Sequence, residues 1–243
     1  MIATIFDFNG VLVDDESVHA AAFQTVLHTI GIELTLEAYQ ERYLGFDDAG
    51  AFRAILTDAG RAPSESEIAA LIEAKKPVYM QHISTGLTVF EGARALVERR
   101  ARLGTVGIVS GALRHEIEHA LAIMGVREHI AFIISAEDAP NCKPHPQGYL
   151  LGIDALRTNN PRLNPAHVVV IEDSVAGVES AKSAGLFCAA VTHSYPVAKL
   201  LAAGADVVTS ALTELTDSLL DQRSSAAREG SASDHHPKHP SGS

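Results

Sequence analysis

Positive charge is scarce in this sequence: 19 Lys and Arg stand against 30 Asp and Glu, for a formal net charge of -11. That balance disfavours polyanionic partners, so neither nucleic acid nor an anionic membrane surface is expected as a partner. A small anion still has a place wherever positive groups converge locally. Cysteine is nearly absent. Cys142 lies beside a Lys-Pro loop and Cys188 in an expected strand. No disulfide framework follows, and the expected compartment is reducing and cytoplasmic. The chain also lacks a long apolar stretch and a basic segment after Met1, so neither a membrane span nor a signal peptide is expected. No internal repeat is visible, and a monomer or a weak homodimer is expected.

What the chain does have is apolar material: 47% of its 243 residues are hydrophobic and 20% charged, enough for one core domain plus an insertion. An apolar run, IATIF, leads into Asp7 and a Gly-containing turn. From Glu16 to Ile30 the residues Phe23, Val26, Leu27 and Ile30 share one helical face, with Gly31 as a stop. Helical patterns continue over 36–43, 49–59 and 65–83, which predicts an all-helical segment over 15–85. From Gly92 the pattern alternates, with helices at 92–102, 113–124, 146–157 and 175–184. Strands are expected between them at 105–110, 129–135, 167–173, 186–192 and 206–208. Apolar strands alternating with helices imply a Rossmann-like, doubly wound parallel sheet of the α/β class. The expected division is a core over 1–14 and 86–221, a helical cap over 15–85, and a disordered tail over 222–243, where Ser, Gly and His replace apolar periodicity.

Ligands of such sheets bind beyond the carboxyl ends of the strands. The residues placed there are Asp7, Ser110 and the pair Glu172 and Asp173, with Lys143 in a loop after another strand. Each also has a plainer reading: Asp7 as a turn former, Glu172 and Asp173 as N-caps of the helix from Val175, a role Ser174 could itself fill, Ser110 as another cap, Lys143 as a solvated lysine. His115 to His119 reads HEIEH, the pattern of a zinc-protease helix. Leu113, Ile117, Leu121 and Met124 form the apolar face of that helix, however, which turns the histidines away from the core, and no third ligand follows.

The segments DFNGVLVDDE at 7–16, VSGA at 109–112, CKPHPQGY at 142–149 and IEDSVAGVESAKSAG at 171–185 occur in one order, each at a strand end or in a loop near one. Together they resemble the haloacid dehalogenase superfamily, in its branch of phosphatases and β-phosphoglucomutases with a helical cap, over about residues 1–215. The resemblance implies that Asp7 is a nucleophile forming an aspartyl-phosphate. It implies a Mg²⁺ site of Asp7, Asp173 and the backbone carbonyl of Asn9, with Glu172 close by or acting through water. Ser110 would bind a phosphoryl oxygen, Lys143 would offset negative charge, and Lys75, Gly111 and Gly45 would contact a small phosphorylated metabolite. His19, ten residues after Asn9, is either catalytic or a satisfied half-buried histidine.

Two departures shape the expected function. Where mutases of this type carry an Arg after the cap glycine, this chain reads Gly45-Phe46-Asp47-Asp48, and acids there repel a second phosphate. At position 9 the family carries an acid that protonates the leaving alcohol, and Asn9 cannot do this. General acid and base catalysis is worth about 10² to 10⁴-fold. Four readings follow: a phosphatase of substrates that leave easily or that uses Asp14, Asp15 or His19 for the proton; a phosphonatase-like enzyme using Lys75 or Lys76; a binding protein for a phosphorylated ligand; or an engineered Asn9 that stalls the enzyme. A Mg²⁺-dependent phosphoryl-transfer hydrolase is the reading preferred, and Asn9→Asp is expected to favour alkyl esters.

Overall fold

The computed structural model of the chain describes residues 2–221, so the expected tail lies outside the described residues. The first strand, β1 (Ala3–Phe6), is fully buried and ends one residue before Asp7. A short strand, β2 (Val13–Asp14), follows, and then four helices: α1 (Glu16–His28), α2 (Leu36–Arg42), α3 (Asp48–Asp58) and α4 (Glu65–Thr85). Thr35, Asp47 and Ser64 cap the last three, each accepting a hydrogen bond from a backbone N–H in the first turn. The α1 helix ends at His28 rather than Ile30, because Thr29 to Gly31 turn out of the helix and Gly31 takes a positive φ.

The chain returns through β3 (Thr88–Val89), which pairs antiparallel with β2. The ribbon of β2 and β3 holds the two ends of the helical segment together. Periodicity does not reveal it, since each strand is two residues long. The alternating half follows as α5 (Ala93–Leu103), β4 (Val106–Val109), α6 (Arg114–Met124), β5 (Ile130–Ile134), α7 (Gln147–Asn159), β6 (Val168–Glu172), α8 (Val175–Ser183), β7 (Phe187–Val191), α9 (Val197–Ala202), β8 (Val207–Thr209) and α10 (Asp217–Leu220). The expected strands lie within a residue or so of these bounds. The short helices α9 and α10 are additions that the sequence pattern does not indicate.

The sheet has six parallel strands in the order β5-β4-β1-β6-β7-β8. This is the doubly wound α/β architecture expected. The strands VVVIE of β6 and FCAAV of β7 are buried at every residue, as strands covered on both faces must be. One face packs Phe6, Ile108, Ile171 and Ala189 against α5 and α6. The other packs Ile5, Val109, Val170 and Cys188 against α7 and α8. The four early helices enclose a separate cluster around Phe23, Leu27, Phe52 and Leu56. Among the described residues no helix is long and apolar enough to cross a membrane.

The strand order places β1 at the centre, with β4 on one side and β6 on the other. The chain runs outward from β1 through β4 and β5 on one side, then through β6, β7 and β8 on the other, so the order reverses beside β1, and in doubly wound sheets ligands bind at the carboxyl ends of the strands at such a point. Asp7, Ser110 and Asp173 each follow directly on one of these strands.

Candidate active site

Asp7 continues β1, its N–H bonded to the carbonyl of Ile171 on β6. The neighbouring strand delivers Glu172 at its last position and Asp173 just beyond it. One carboxylate oxygen from each of Asp7, Glu172 and Asp173 lies within 4.8 Å of the others, and all three residues are buried. Such a group of acids is unstable without positive charge. Lys143 supplies part of it: its Nζ donates to Asp7 Oδ1 at 2.8 Å, to Glu172 Oε1 at 2.6 Å and to the Val109 carbonyl at 3.3 Å. The sequence places Lys143 in a loop far from Asp7; the crossover through β5 brings it back across the strand ends.

The two acids Lys143 touches diverge. Burial pushes Asp7 up to about 6, with Lys143 opposing and Glu172 adding to the rise. Burial acts on Glu172 in the same sense and most strongly, but the charge and hydrogen bond of Lys143, with donors from Tyr149 and the Asp173 backbone, together hold Glu172 below its ordinary range. Glu172 is also saturated with donors. Tyr149 donates to Oε1 at 2.8 Å, while Oε2 accepts from Asp173 N, Ser174 N and Ser174 Oγ at 3.0 to 3.2 Å. Gly177 in the first turn of α8 makes room for it, since a Cβ there would lie 1.8 Å from Oε1.

Asp173 has no such support. Burial, followed by the charges of Glu172 and Asp7, lifts it well above the carboxylate range, with Ser194 as a hydroxyl donor. Gly10 packs against it at φ +74°, where a Cβ would fall 2.0 Å from Asp173 Oδ2. His193 Nδ1 lies 2.7 Å from the Gly10 carbonyl and fastens the same loop. Hard oxygen donors crowded so closely that burial and mutual repulsion raise two of their pKa values are a donor set that a divalent cation relieves. The residues present therefore fit such an ion.

The side chain of Asn9 points toward the helical segment. Its Nδ2 donates to both oxygens of Asp15, at 2.9 and 2.8 Å, and lies 3.2 Å from His19 Nε2. Its Oδ1 faces Ser110 Oγ at 3.5 Å. Asp15 is 1% exposed and also accepts from Tyr79 of α4 and from His19 of α1. Burial raises the pKa of Asp15, yet the charge of His19 and the surrounding donors bring it below the ordinary value. His19 Nδ1 meets Lys75 Nζ at 2.8 Å, and Lys75 in turn pairs with Asp48 at 2.6 Å.

The cleft is lined from the sheet by Asp7, Ser110, Gly111, Lys143 and Asp173, and from the helices by residues including His19, Gly45 and Asp47. The two sides touch: the position of a Cβ on Gly111 would lie 3.5 Å from Asp47 Cβ, and Tyr195 OH reaches the Leu44 carbonyl at 3.5 Å. Lys75 is different. It is fully buried behind His19 and does not line the cleft. The HEIEH helix shows a feature its apolar face does not announce: Glu116 is 1% exposed and accepts from Leu113 N at 3.1 Å, closing the first turn of α6. Tyr149, Ser194 and His193 are site residues the sequence reading does not single out. Ser194 and His193 carry a signal all the same, since both follow the carboxyl end of β7.

The chain is similar to known proteins over most of its length. The model of the haloacid dehalogenase-like hydrolase family matches residues 3–185. Hexitol phosphatase B of Escherichia coli (strain K12) is 28% identical over 222 residues, covering 89% of this chain and 95% of that enzyme. A phosphorylated carbohydrates phosphatase of Thermotoga maritima is 29% identical over 208 residues, covering 84% and 92% respectively. The crystal structure of CbbY from Rhodobacter sphaeroides in complex with phosphate superposes with a TM-score of 0.80 at 25% identity, over 91% of this chain and all of that one.

Proposed function

The chain belongs to the haloacid dehalogenase-like hydrolases, and from that premise we propose that it is a Mg²⁺-dependent phosphatase of a small phosphorylated metabolite, working through an aspartyl-phosphate on Asp7. The observation that carries this reading is Lys143 bridging Asp7 and Glu172 at the strand ends, beside Asp173 and open to the cleft. A carboxylate nucleophile needs a fixed cation beside it before a phosphate dianion can approach. Similarity to phosphatases of hexitol and carbohydrate phosphates points to a polyhydroxylated monophosphate.

Mg²⁺ would be held by Asp7, Asp173 and the backbone carbonyl of Asn9, and when bound it offsets the charge of the phosphoryl group. Glu172 has both oxygens occupied by protein donors, so we assign it to holding Lys143 and the backbone of Asp173. Lys143 holds Asp7 Oδ1, which leaves Oδ2 to attack phosphorus. The bond from phosphorus to the ester oxygen breaks, and the alcohol departs with a proton from water or from His19. Ser110 and the amide of Gly111 receive the phosphoryl oxygens. Water then attacks phosphorus, releasing inorganic phosphate and restoring Asp7.

The helical segment over 15–85 acts as a cap over this cleft, hinged on the ribbon of β2 and β3. A phosphonatase mechanism lacks its lysine here, since Lys75 is engaged with Asp48 and His19, and Lys76 pairs with Glu73. The test is a panel of hexitol, sugar and aryl phosphates assayed with Mg²⁺ and with EDTA. Release of phosphate from at least one ester in Mg²⁺ alone is expected. Tight binding of an ester with no release under either condition would make the chain a binding protein instead.

A further inference from the structure

We propose that Asn9 and Asp15 are a matched pair, in which Asp15 positions Asn9, so that a donor is obligatory at residue 9 for as long as residue 15 carries a carboxylate. Asn9 is the residue that sets this chain apart from its family pattern, and the structure shows what its amide touches. Nδ2 sits astride both oxygens of Asp15, at 2.9 and 2.8 Å. A carboxylate at position 9 would set oxygen against oxygen at that distance. Two carboxylates so close in a buried site cannot both remain charged. Asp15 has no room to withdraw: it is 1% exposed, and its oxygens are also held by Tyr79 and His19.

The pair sits on the root of the cap. Asp15 lies between β2 and the first turn of α1, and His19 and Tyr79 belong to α1 and α4. Asn9 lies in the loop that carries Asp7 and Gly10. Its amide is therefore the point at which the loop beside the nucleophile is fastened to the cap. Through Asn9, Asp15 fixes the orientation of that loop, including the carbonyl of Asn9 that would hold the proposed metal. The acid is displaced from the cleft to the hinge, and the amide at 9 is the partner this displacement requires. This pairing replaces the sequence-based expectation that Asn9→Asp favours alkyl esters: by itself the change is harmful, and a carboxylate at 9 is tolerated only with the charge at 15 removed.

The kinetic half of the test rests on the phosphatase reading; the stability half does not. The parent, Asn9→Asp, Asp15→Asn and the reciprocal double variant are compared as full chains. Urea unfolding is followed in EDTA, and kcat and KM are measured with Mg²⁺ on p-nitrophenyl phosphate and on glucose 6-phosphate. Each single variant is expected to lose about tenfold in kcat with KM little changed, and the double variant to recover about tenfold over the product of the single effects, a coupling expected of residues in contact. The same recovery is expected in the unfolding constant. Effects that simply multiply, or an Asn9→Asp chain as active and stable as the parent, would overturn the pairing. Should Asn9→Asp fail to fold, a folded double variant supports the pair and an unfolded one refutes it. Absence of turnover by the parent would fail the phosphatase reading separately, and the unfolding data would still decide the pair.

Discussion

Replacing Lys143 by Met keeps the aliphatic stem and removes only the ammonium, so it isolates what that charge does at the strand ends. Three acceptors lose a donor: Asp7 Oδ1, Glu172 Oε1 and the Val109 carbonyl. Breaking a buried ion pair by removing one partner costs about 3 to 5 kcal/mol. The lower end applies, about 3 kcal/mol, because Glu172 keeps its bonds from Tyr149, Asp173 and Ser174 and can still share in a hydrogen-bonded network. The deficit must also depend on pH. In the parent, Glu172 has a depressed pKa, so it contributes stability above its unfolded value that is lost as pH falls through the folded one. Without Lys143 both Glu172 and Asp7 are pushed upward, which destabilises the folded chain most at high pH. Asp7 already stands at about 6 with the lysine present. The parent and Lys143→Met should therefore differ by about 3 kcal/mol near pH 8 and by clearly less near pH 5. Urea unfolding in EDTA at the two values measures this. In Mg²⁺, kcat should fall by roughly 10² to 10³. A variant within about 1 kcal/mol of the parent at both pH values would refute the claim that Lys143 holds this acidic cluster together.

Three further outcomes are expected. EDTA should abolish turnover and Mg²⁺ restore it, and Asp173→Ala should remain inactive at any Mg²⁺ concentration; robust activity without metal would show that catalysis needs no ion. Gly10→Ala should lower stability by roughly 2 kcal/mol, because φ +74° disfavours a side chain there and its Cβ would press on Asp173, and it should weaken Mg²⁺ binding measured by calorimetry. Proteolysis near Asp14 to Glu16 and Leu87 to Glu91 should slow when phosphate and Mg²⁺ are bound, since ligand holds the cap closed; unchanged cleavage at saturation would mean a fixed cap.

The central sheet is legible in the sequence because β1, β4, β6 and β7 are short, largely apolar runs close to Gly, Asp or Ser, which leave a buried parallel strand as the economical reading. The cap helices are legible for the complementary reason, a stripe such as Phe23, Val26 and Leu27 at helical spacing. The ribbon of β2 and β3 is not, because its pairing is between residues some 75 positions apart and neither strand is long enough to show alternation. Within the site, the sequence order of the segments marks Asp7, Lys143 and Asp173, whereas the partners of Asn9 depend on where α1 and α4 cross the loop after β1. Asp15 accordingly reads as one of several nearby acids until the fold shows its two oxygens facing the Asn9 amide. Lys75 illustrates the opposite case: its spacing marks it for the substrate, while packing encloses it between Asp48, His19 and the ring of Phe23.

The proposed mechanism requires that a carboxylate oxygen of Asp7 take the phosphoryl group. The direct measurement is rapid quenching of the chain with p-nitrophenyl phosphate and Mg²⁺, followed by mass spectrometry of its peptides. With no acid or base at position 9, the phosphorylated intermediate should persist long enough to be trapped, together with a burst of p-nitrophenol. The expected result is one phosphoryl group on the peptide containing Asp7 in the parent and none in Asp7→Asn, which should also have no turnover. A phosphoryl group found on another residue, or undiminished turnover by Asp7→Asn, would contradict the mechanism.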